Sequence, residues 1–311
     1  MWNAWRAVLV VAVALLPAAV HAQPYVTARG AIIVDADSGA VIWESNADEP
    51  LPPASTTKVM TAILALQSHQ LDDHFPVSAN AAATPPSKIG LRTGQSVALR
   101  DLLYAVLLKS ANDAAVVVAE GVAGSEYAFA DRMNLKARVI GASQTNFVNP
   151  HGLTEYGHVT TARDLSRIFR YGLGVPGFRE VLSTSAAEVP IDNPDGAERL
   201  ALVRSHNRLL DFQVIGKTGY TRPARRCFVG AAGQGSREVV IAILGSNDLW
   251  GDAPHARLRS QPVASHARAD GRRVAAASTG SGARGCTAPG CRRRPRGAQP
   301  ADRRAARRPA A

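Results

Sequence analysis

Three short groupings in the chain hold residues able to do nucleophilic chemistry. In the first, Ser55-Thr56-Thr57-Lys58, a hydroxyl and an amine stand three residues apart. On a helix that spacing puts both on one face with Cβ atoms about 5–6 Å apart, so the amine can reach the hydroxyl and take its proton. A serine at a helix N-terminus also lies beside free backbone N–H groups that can stabilise an oxyanion. The same residues would equally make an N-cap serine and a surface lysine, and Ser-x-x-Lys arises by chance about once in a chain of this size. In the second grouping, Ser110-Ala111-Asn112, a hydroxyl and an amide sit at a corner between two apolar stretches. Both can point into a cleft there, or merely cap the next helix. The third, Lys217-Thr218-Gly219, offers a cation for a carboxylate and a glycine that a ligand backbone can approach closely. Chance gives that triplet in fewer than about one chain in ten.

Other reactive residue types are plainer. The eight histidines show no metal-ligand spacing. His151, in Asn149-Pro150-His151-Gly152, reads as part of a structural turn. Cys227 is alone in the body of the chain and reads as buried and inert, and Cys286 and Cys291 complete no disulfide framework or zinc site with it. Trp43 and Trp250 read as packing residues.

The elements that must position the three groupings follow from periodicity. Residues 31–34 and 41–43 read as two strands around the turn residues 35–39. Residues 51–54 are extended ahead of a helix that begins near Ser55, with Val59, Met60, Ile63, Leu64 and Leu66 at helical spacing. Residues 72–100 read mostly as loop and short elements. Helices are expected over 101–109, 113–122, 126–140 and 161–171, the last with Asp164 at its start and Arg167 and Arg170 toward its end to suit the helix dipole. From about Leu202 the period changes, and strands are expected over 213–220, 227–232 and 239–244, with a turn over 233–235. Strands, then a helical block, then strands again make an α+β domain whose antiparallel β-sheet collects both ends of the chain and is flanked by helices.

Charge is uneven along the chain. Residues 255–311 hold 14 arginines, no lysine and two acids, Asp270 and Asp302, whereas residues 1–254 hold 22 basic and 23 acidic residues. The net charge of +11 therefore lies in the tail, and the body is that of a neutral enzyme rather than a nucleic-acid binder. The tail has no apolar periodicity and is expected to be disordered. Arginine without lysine suits an out-of-frame reading of GC-rich DNA; the alternative is a genuine basic arm for anionic lipid, wall polymer or nucleic acid. At the other end, residues 7–20 are apolar and Val20-His21-Ala22 puts small residues before Gln23, the pattern of a signal peptide over 1–22 and of export to a periplasmic or other extracytoplasmic location. The expected organisation is thus 1–22 leader, 23–254 catalytic domain and 255–311 tail.

Taken together and in order, the groupings resemble the low-molecular-mass penicillin-binding proteins that are serine D-alanyl-D-alanine carboxypeptidases. The resemblance runs from about Gly30 to Asp252 and is carried by five stretches, at 53–61, 108–115, 146–153, 206–210 and 216–221. It implies a β-lactamase-like sheet with a helical subdomain. It also implies that Ser55 attacks the penultimate D-Ala carbonyl with Lys58 as base, and that Ser110 relays a proton to the leaving D-Ala. Asn112 would bond the substrate amide, and Lys217 and Thr218 the terminal carboxylate. The backbone N–H groups of Ser55 and Tyr220 would form the oxyanion hole beside Gly219. Peptidoglycan stem peptides are the implied substrates and β-lactams the implied inhibitors, with no metal or cofactor needed. Peripheral membrane or wall association is left open, because relatives are tethered through a C-terminal helix that this tail does not offer.

The chain also departs from those relatives. Arg225 stands where glycine is usual, so a positive φ there would strain it. His206 replaces an arginine that assists the carboxylate, with Arg204 and Arg208 as substitutes. Without the usual helix after residues 250–252, one sheet face is expected to be uncovered. Competing readings are a β-lactamase, a D,D-endopeptidase, an inactive C-terminally damaged relative, and an anionic-polymer binder working through the tail. Against the first, residues 145–175 lack a glutamate with an asparagine four residues on.

Overall fold

In chain order the strands are β1 (Gly30–Asp35), β2 (Val41–Ser45), β3 (His74–Pro76), β4 (Ser96–Ala98), β5 (Ala186–Asp192), β6 (Glu198–Arg204), β7 (Val214–Thr221), β8 (Arg225–Ala232) and β9 (Val239–Ser246). The helices are α1 (Lys58–Ser68), α2 (Ala79–Ala83), α3 (Leu99–Leu107), α4 (Asn112–Ala123), α5 (Glu126–Ile140), α6 (Ala162–Leu173) and α7 (Phe178–Ser183). These come from a computed structural model that describes residues 26–68, 71–233 and 238–253. The expected leader and arginine-rich tail lie outside the described residues, as does most of the turn expected over 233–235.

Strands from both ends of the described residues meet in one antiparallel sheet of order β2-β1-β9-β8-β7. Every residue of β9 is buried, which is why it reads as an unbroken apolar run, Val-Val-Ile-Ala-Ile-Leu, and sits in the middle. β7 is an edge strand, and it carries Lys217, Thr218 and Gly219. α1 passes through the interior: seven consecutive residues from Val59 to Ala65 are buried among α3, α4 and α6, and α6 in turn packs on β1 and β9 of the sheet. Met60 and Ile63 of α1 share a core with Ile32 and Val34 of β1, Val106 of α3, Val116 of α4 and Phe169 of α6. Each such side chain contributes about 1.5–3 kcal/mol by leaving water, so the helix that begins at Lys58 is anchored along its length.

Two expectations need correction, and a third, Asp164 in the first turn of α6, holds and is extended. A second sheet, β3-β4-β5-β6, was not legible as such and packs against α3 and α4 through β3, β4 and β5. The other face of the main sheet is not left bare. Ala31, Ile33, Phe228, Ile241 and Ile243 are buried there, with Leu249 and Ala253 from a helical turn over 249–253 and Trp43 and Trp250 at the margin. Asp164 does more than suit a dipole. Its buried carboxylate accepts from Gln144 N, Thr145 Oγ1 and Arg167 Nη1 at 2.7, 3.0 and 2.9 Å, tying α6 to the loop before it.

Candidate active site

Ser55 lies in a 3-10 turn, Ala54–Thr57, that feeds directly into α1. The turn is held by its own side chains: Thr56 Oγ1 donates to Pro53 O at 2.7 Å and Thr57 Oγ1 to Ala54 O at 2.8 Å. His158 Nδ1 accepts from Val148 N at 3.1 Å, so its proton is on Nε2, which donates to Thr57 Oγ1 at 2.9 Å. Burial takes His158 down to about 3 and keeps it neutral. Ala54 has φ +48, and Gly152, at φ +85, lies against it so closely that a Cβ there would meet Ala54 O at 1.9 Å. Gly219 of β7 has a like role: a Cβ on it would lie 2.9 Å from Ser55 N. The close approach this glycine allows is therefore to the backbone of Ser55 itself.

Lys58 is fully buried, and its Nζ has three neighbours: Ser55 Oγ at 3.1 Å, Asn112 Oδ1 at 2.7 Å and His151 O at 2.5 Å. The Asn112 amide is oriented by its Nδ2, which donates to Pro85 O at 2.9 Å, so Oδ1 faces the lysine. Two of the three partners can only accept. They take two N–H bonds and leave the third direction, toward Ser55, for a lone pair when the amine is neutral. Burial, and then the charge of Lys217, hold Lys58 well below the ordinary lysine range, with Asp113 opposing. Asp113 is itself buried and accepts from the backbone N–H groups of Ile89, Gly90 and Leu91, so it fastens the 85–91 wall of the cleft to α4.

Ser110, at φ +63, turns its hydroxyl toward β7, where Lys217 Nζ donates to it at 3.0 Å and to Thr218 O at 2.8 Å. Burial alone brings Lys217 down to about 7. Ser55, Ser110, Asn112, Thr218, Gly219 and Tyr220 line one cleft of about 560 Å3. The three groupings, 162 residues apart from Ser55 to Lys217, thus converge, with Tyr220 at the mouth, 65% exposed. Sequence reading missed the carbonyl of His151, the roles of Asp113 and His158, and Arg226 and Trp250, which line the basic end of the cleft beside the anticipated His206 and Arg208. His206 is lowered by burial and by Lys217 and Lys109. Arg208 reaches the cleft and Arg204 does not line it. Among the described residues no carboxylate lines it. Cys227, whose thiol burial pushes up to about 12, is buried behind β7.

Known proteins align with this arrangement. A family model described as D-alanyl-D-alanine carboxypeptidase matches residues 18–248. The D-alanyl-D-alanine carboxypeptidase DacF of Bacillus subtilis is 33% identical over 228 residues, covering 71% of this chain and 58% of its own. DacB2 of Mycobacterium tuberculosis, a D-alanyl-D-alanine carboxypeptidase, is 38% identical over 220 residues, covering 68% of this chain and 73% of its own. The crystal structure of an evolved putative penicillin-binding protein homologue from Mycobacterium tuberculosis superposes with a TM-score of 0.71 at 32% identity, over 78% of this chain and 95% of that one. The chain thus spans little more than half the length of the Bacillus relative.

Proposed function

The chain belongs to the D-alanyl-D-alanine carboxypeptidase family, and on that premise we propose that it removes the terminal D-Ala from peptidoglycan stem peptides through an acyl-enzyme on Ser55. The observation that carries this reading is the setting of Lys58, whose amine is 3.1 Å from Ser55 Oγ while its other contacts are acceptors. Lys58 takes the hydroxyl proton as Ser55 Oγ attacks the penultimate carbonyl. The N–H groups of Ser55 and Tyr220 receive the oxyanion. Ser110, bonded to Lys217, relays to the departing amine the proton that Lys58 took from Ser55, which leaves Lys58 and Ser110 neutral again, and Lys217 and Thr218 hold the terminal carboxylate. Water then frees Ser55. β-Lactams present the same carbonyl and carboxylate and should acylate Ser55. With no carboxylate along the cleft to activate water, that ester should be slow to hydrolyse.

A pentapeptide ending in D-Ala-D-Ala tests this directly. Free D-Ala should appear with the parent chain and not with Ser55→Ala; equal release by both would overturn the assignment. One observation favours a second reading. Arg208 and Arg226 extend the cleft beyond Thr218 with positive charge, and neither has an ion pair among the described residues. A bulkier, acidic leaving group would fit there, so cleavage of crosslinked dimer muropeptides faster than pentapeptide would make the chain a D,D-endopeptidase.

We also assign the chain to the extracytoplasmic side of the cell, supported by the apolar run over 7–20 and the small residues before Gln23. No helix among the described residues is long and apolar enough to cross a membrane. Exported protein that begins at Gln23 would support the assignment, and a retained Met1 would contradict it. The composition of residues 255–311 supports an out-of-frame origin, which re-sequencing of the locus without an insertion or deletion near codons 250–256 would rule out.

A further inference from the structure

One pair of titratable side chains outside the three groupings meets the machinery from behind. Glu126, the first residue of α5, places Oε2 3.4 Å from His151 Nε2, and the histidine side chain is only 10% exposed. The ring's other nitrogen, Nδ1, accepts from Leu153 N at 3.2 Å. A nitrogen that accepts carries no proton, so His151 is neutral and its Nε2–H faces the carboxylate. Glu126 is anchored in turn: Asn80 Nδ2 donates to its Oε1 at 2.9 Å and to Glu120 Oε1 at 3.0 Å. The ring is therefore held on both sides, and its own backbone carbonyl is the acceptor 2.5 Å from Lys58 Nζ. Thr61 Oγ1 donates to Pro150 O, and Gly152 N, which shares the peptide plane of the His151 carbonyl, donates to Asn149 Oδ1 at 2.7 Å, so the plane is held at its nitrogen by Asn149 while the braced ring holds the His151 end.

We propose that Glu126 and the His151 side chain are positioning residues that, together with the Gly152–Asn149 bond, hold the His151 carbonyl in place, so that Lys58 keeps its lone pair on Ser55. The proposal rests on the reading of Lys58 as the base for Ser55. The groups facing His151 are Glu126 from α5, Lys58 from α1, and Glu155 and His158 from its own loop, with Asn80 of α2 and Glu120 of α4 behind Glu126. Burial lowers His151, the bond to Glu126 opposes it and the charge of Lys58 adds to it. Burial also works against ionised Glu126, but the bonds from His151 and Asn80 outweigh it. Both groups thus keep the charge states that the brace needs at neutral pH.

The test is the pH dependence of acylation by a fluorescent penicillin, resolved into a limiting rate and a pre-covalent Kd. It compares the full chain with Glu126→Ala, Glu126→Gln and Asn80→Ala. Glu126→Ala should lower the limiting rate about ten- to a hundredfold with Kd unchanged, the scale of a misplacement of about 1 Å. Its acid limb should move to lower pH, because a displaced carbonyl no longer stabilises the Lys58 ammonium. Glu126→Gln keeps an acceptor for Nε2 and should recover most of the rate. Asn80→Ala should act in the same direction by about two- to fivefold, and it carries the test if Glu126→Ala does not fold. Variants that label within about twofold of the parent at every pH, or lose only Kd with the acid limb unmoved, overturn the proposal alone. A parent that never labels overturns the Ser55 reading, and this proposal with it.

Discussion

Two lysines lie within the described interior with almost no exposed surface, and a buried charge is costly unless it is paired. Neither Lys58 nor Lys217 has an ion pair among the described residues. Their partners are hydroxyl, amide and carbonyl oxygens. Burial, and then the charge of Lys217, hold Lys58 well below the ordinary lysine range, and its amine is the one that reaches Ser55, so it is the one that serves as base. The glycine at 219 matters for the same geometry, since any Cβ there would press on Ser55 N, Ala54 Cβ and Thr56 N at 2.9, 3.1 and 3.1 Å. Gly219→Ala should therefore cost about 1–3 kcal/mol in urea unfolding and lower the penicillin acylation rate at least about tenfold. Acylation at the parent rate would show that the turn yields without moving the nucleophile. Ser55, Lys58, Ser110, Asn112 and Lys217 were legible at this scale because each is a side chain of a telling type. The carbonyl of His151 was not, because a backbone acceptor has no signature. Its trace was the Asn-Pro-His-Gly turn, read as structural.

At the scale of elements, the hairpin of β7 and β8 bears on how far this chain departs from its relatives. Arg225 opens β8 at φ +57, the left-handed region that the sequence reading anticipated as strained for a side chain. Its Nη1 donates to Asn247 Oδ1 at 2.7 Å, an exposed bond. The left-handed conformation costs an L-residue about 1–2 kcal/mol, and glycine returns part of that as lost chain entropy. Arg225→Gly should thus raise stability by up to about 1 kcal/mol, or about 2–4 °C in Tm, with labelling retained. A lower Tm would mean the Asn247 bond outweighs the strain. The main sheet was legible because β1, β8 and β9 are rich in Ile, Val and Ala, and α5 was legible to the residue because Ser125 caps it and Gly141 ends it. The second sheet was not, for physical reasons. β3 and β4 have three residues each, too few for a period to register. β5 carries Pro190, and β6 alternates exposed and half-buried residues with a single buried Val203. Six-residue α7 is too short to show a face.

At the scale of the described residues, the fold brings the early strands β1 and β2 and the late strands β7 to β9 into one sheet and sets a nucleophile from the turn before α1 against the edge strand β7. Placing two lysines of lowered proton affinity in one cleft predicts a two-limbed pH profile. Below its lowered pKa Lys58 is charged and cannot take the Ser55 proton, so acylation should rise with pH on the acid side. Lys217, at about 7 in the free chain, loses its charge as pH rises further, so carboxylate binding should weaken on the alkaline side. A bound carboxylate favours the ammonium, so the alkaline limb should appear in kcat/KM more than in kcat. A profile flat from pH 5 to 9 would contradict this assignment of the two lysines. The most direct test of the central claim is intact-mass analysis of the folded chain after exposure to a penicillin, beside Ser55→Ala. One covalent adduct per parent chain, persistent over minutes and absent from the folded mutant, is the predicted result. A folded parent that takes no adduct, or an adduct that survives in Ser55→Ala, would contradict it.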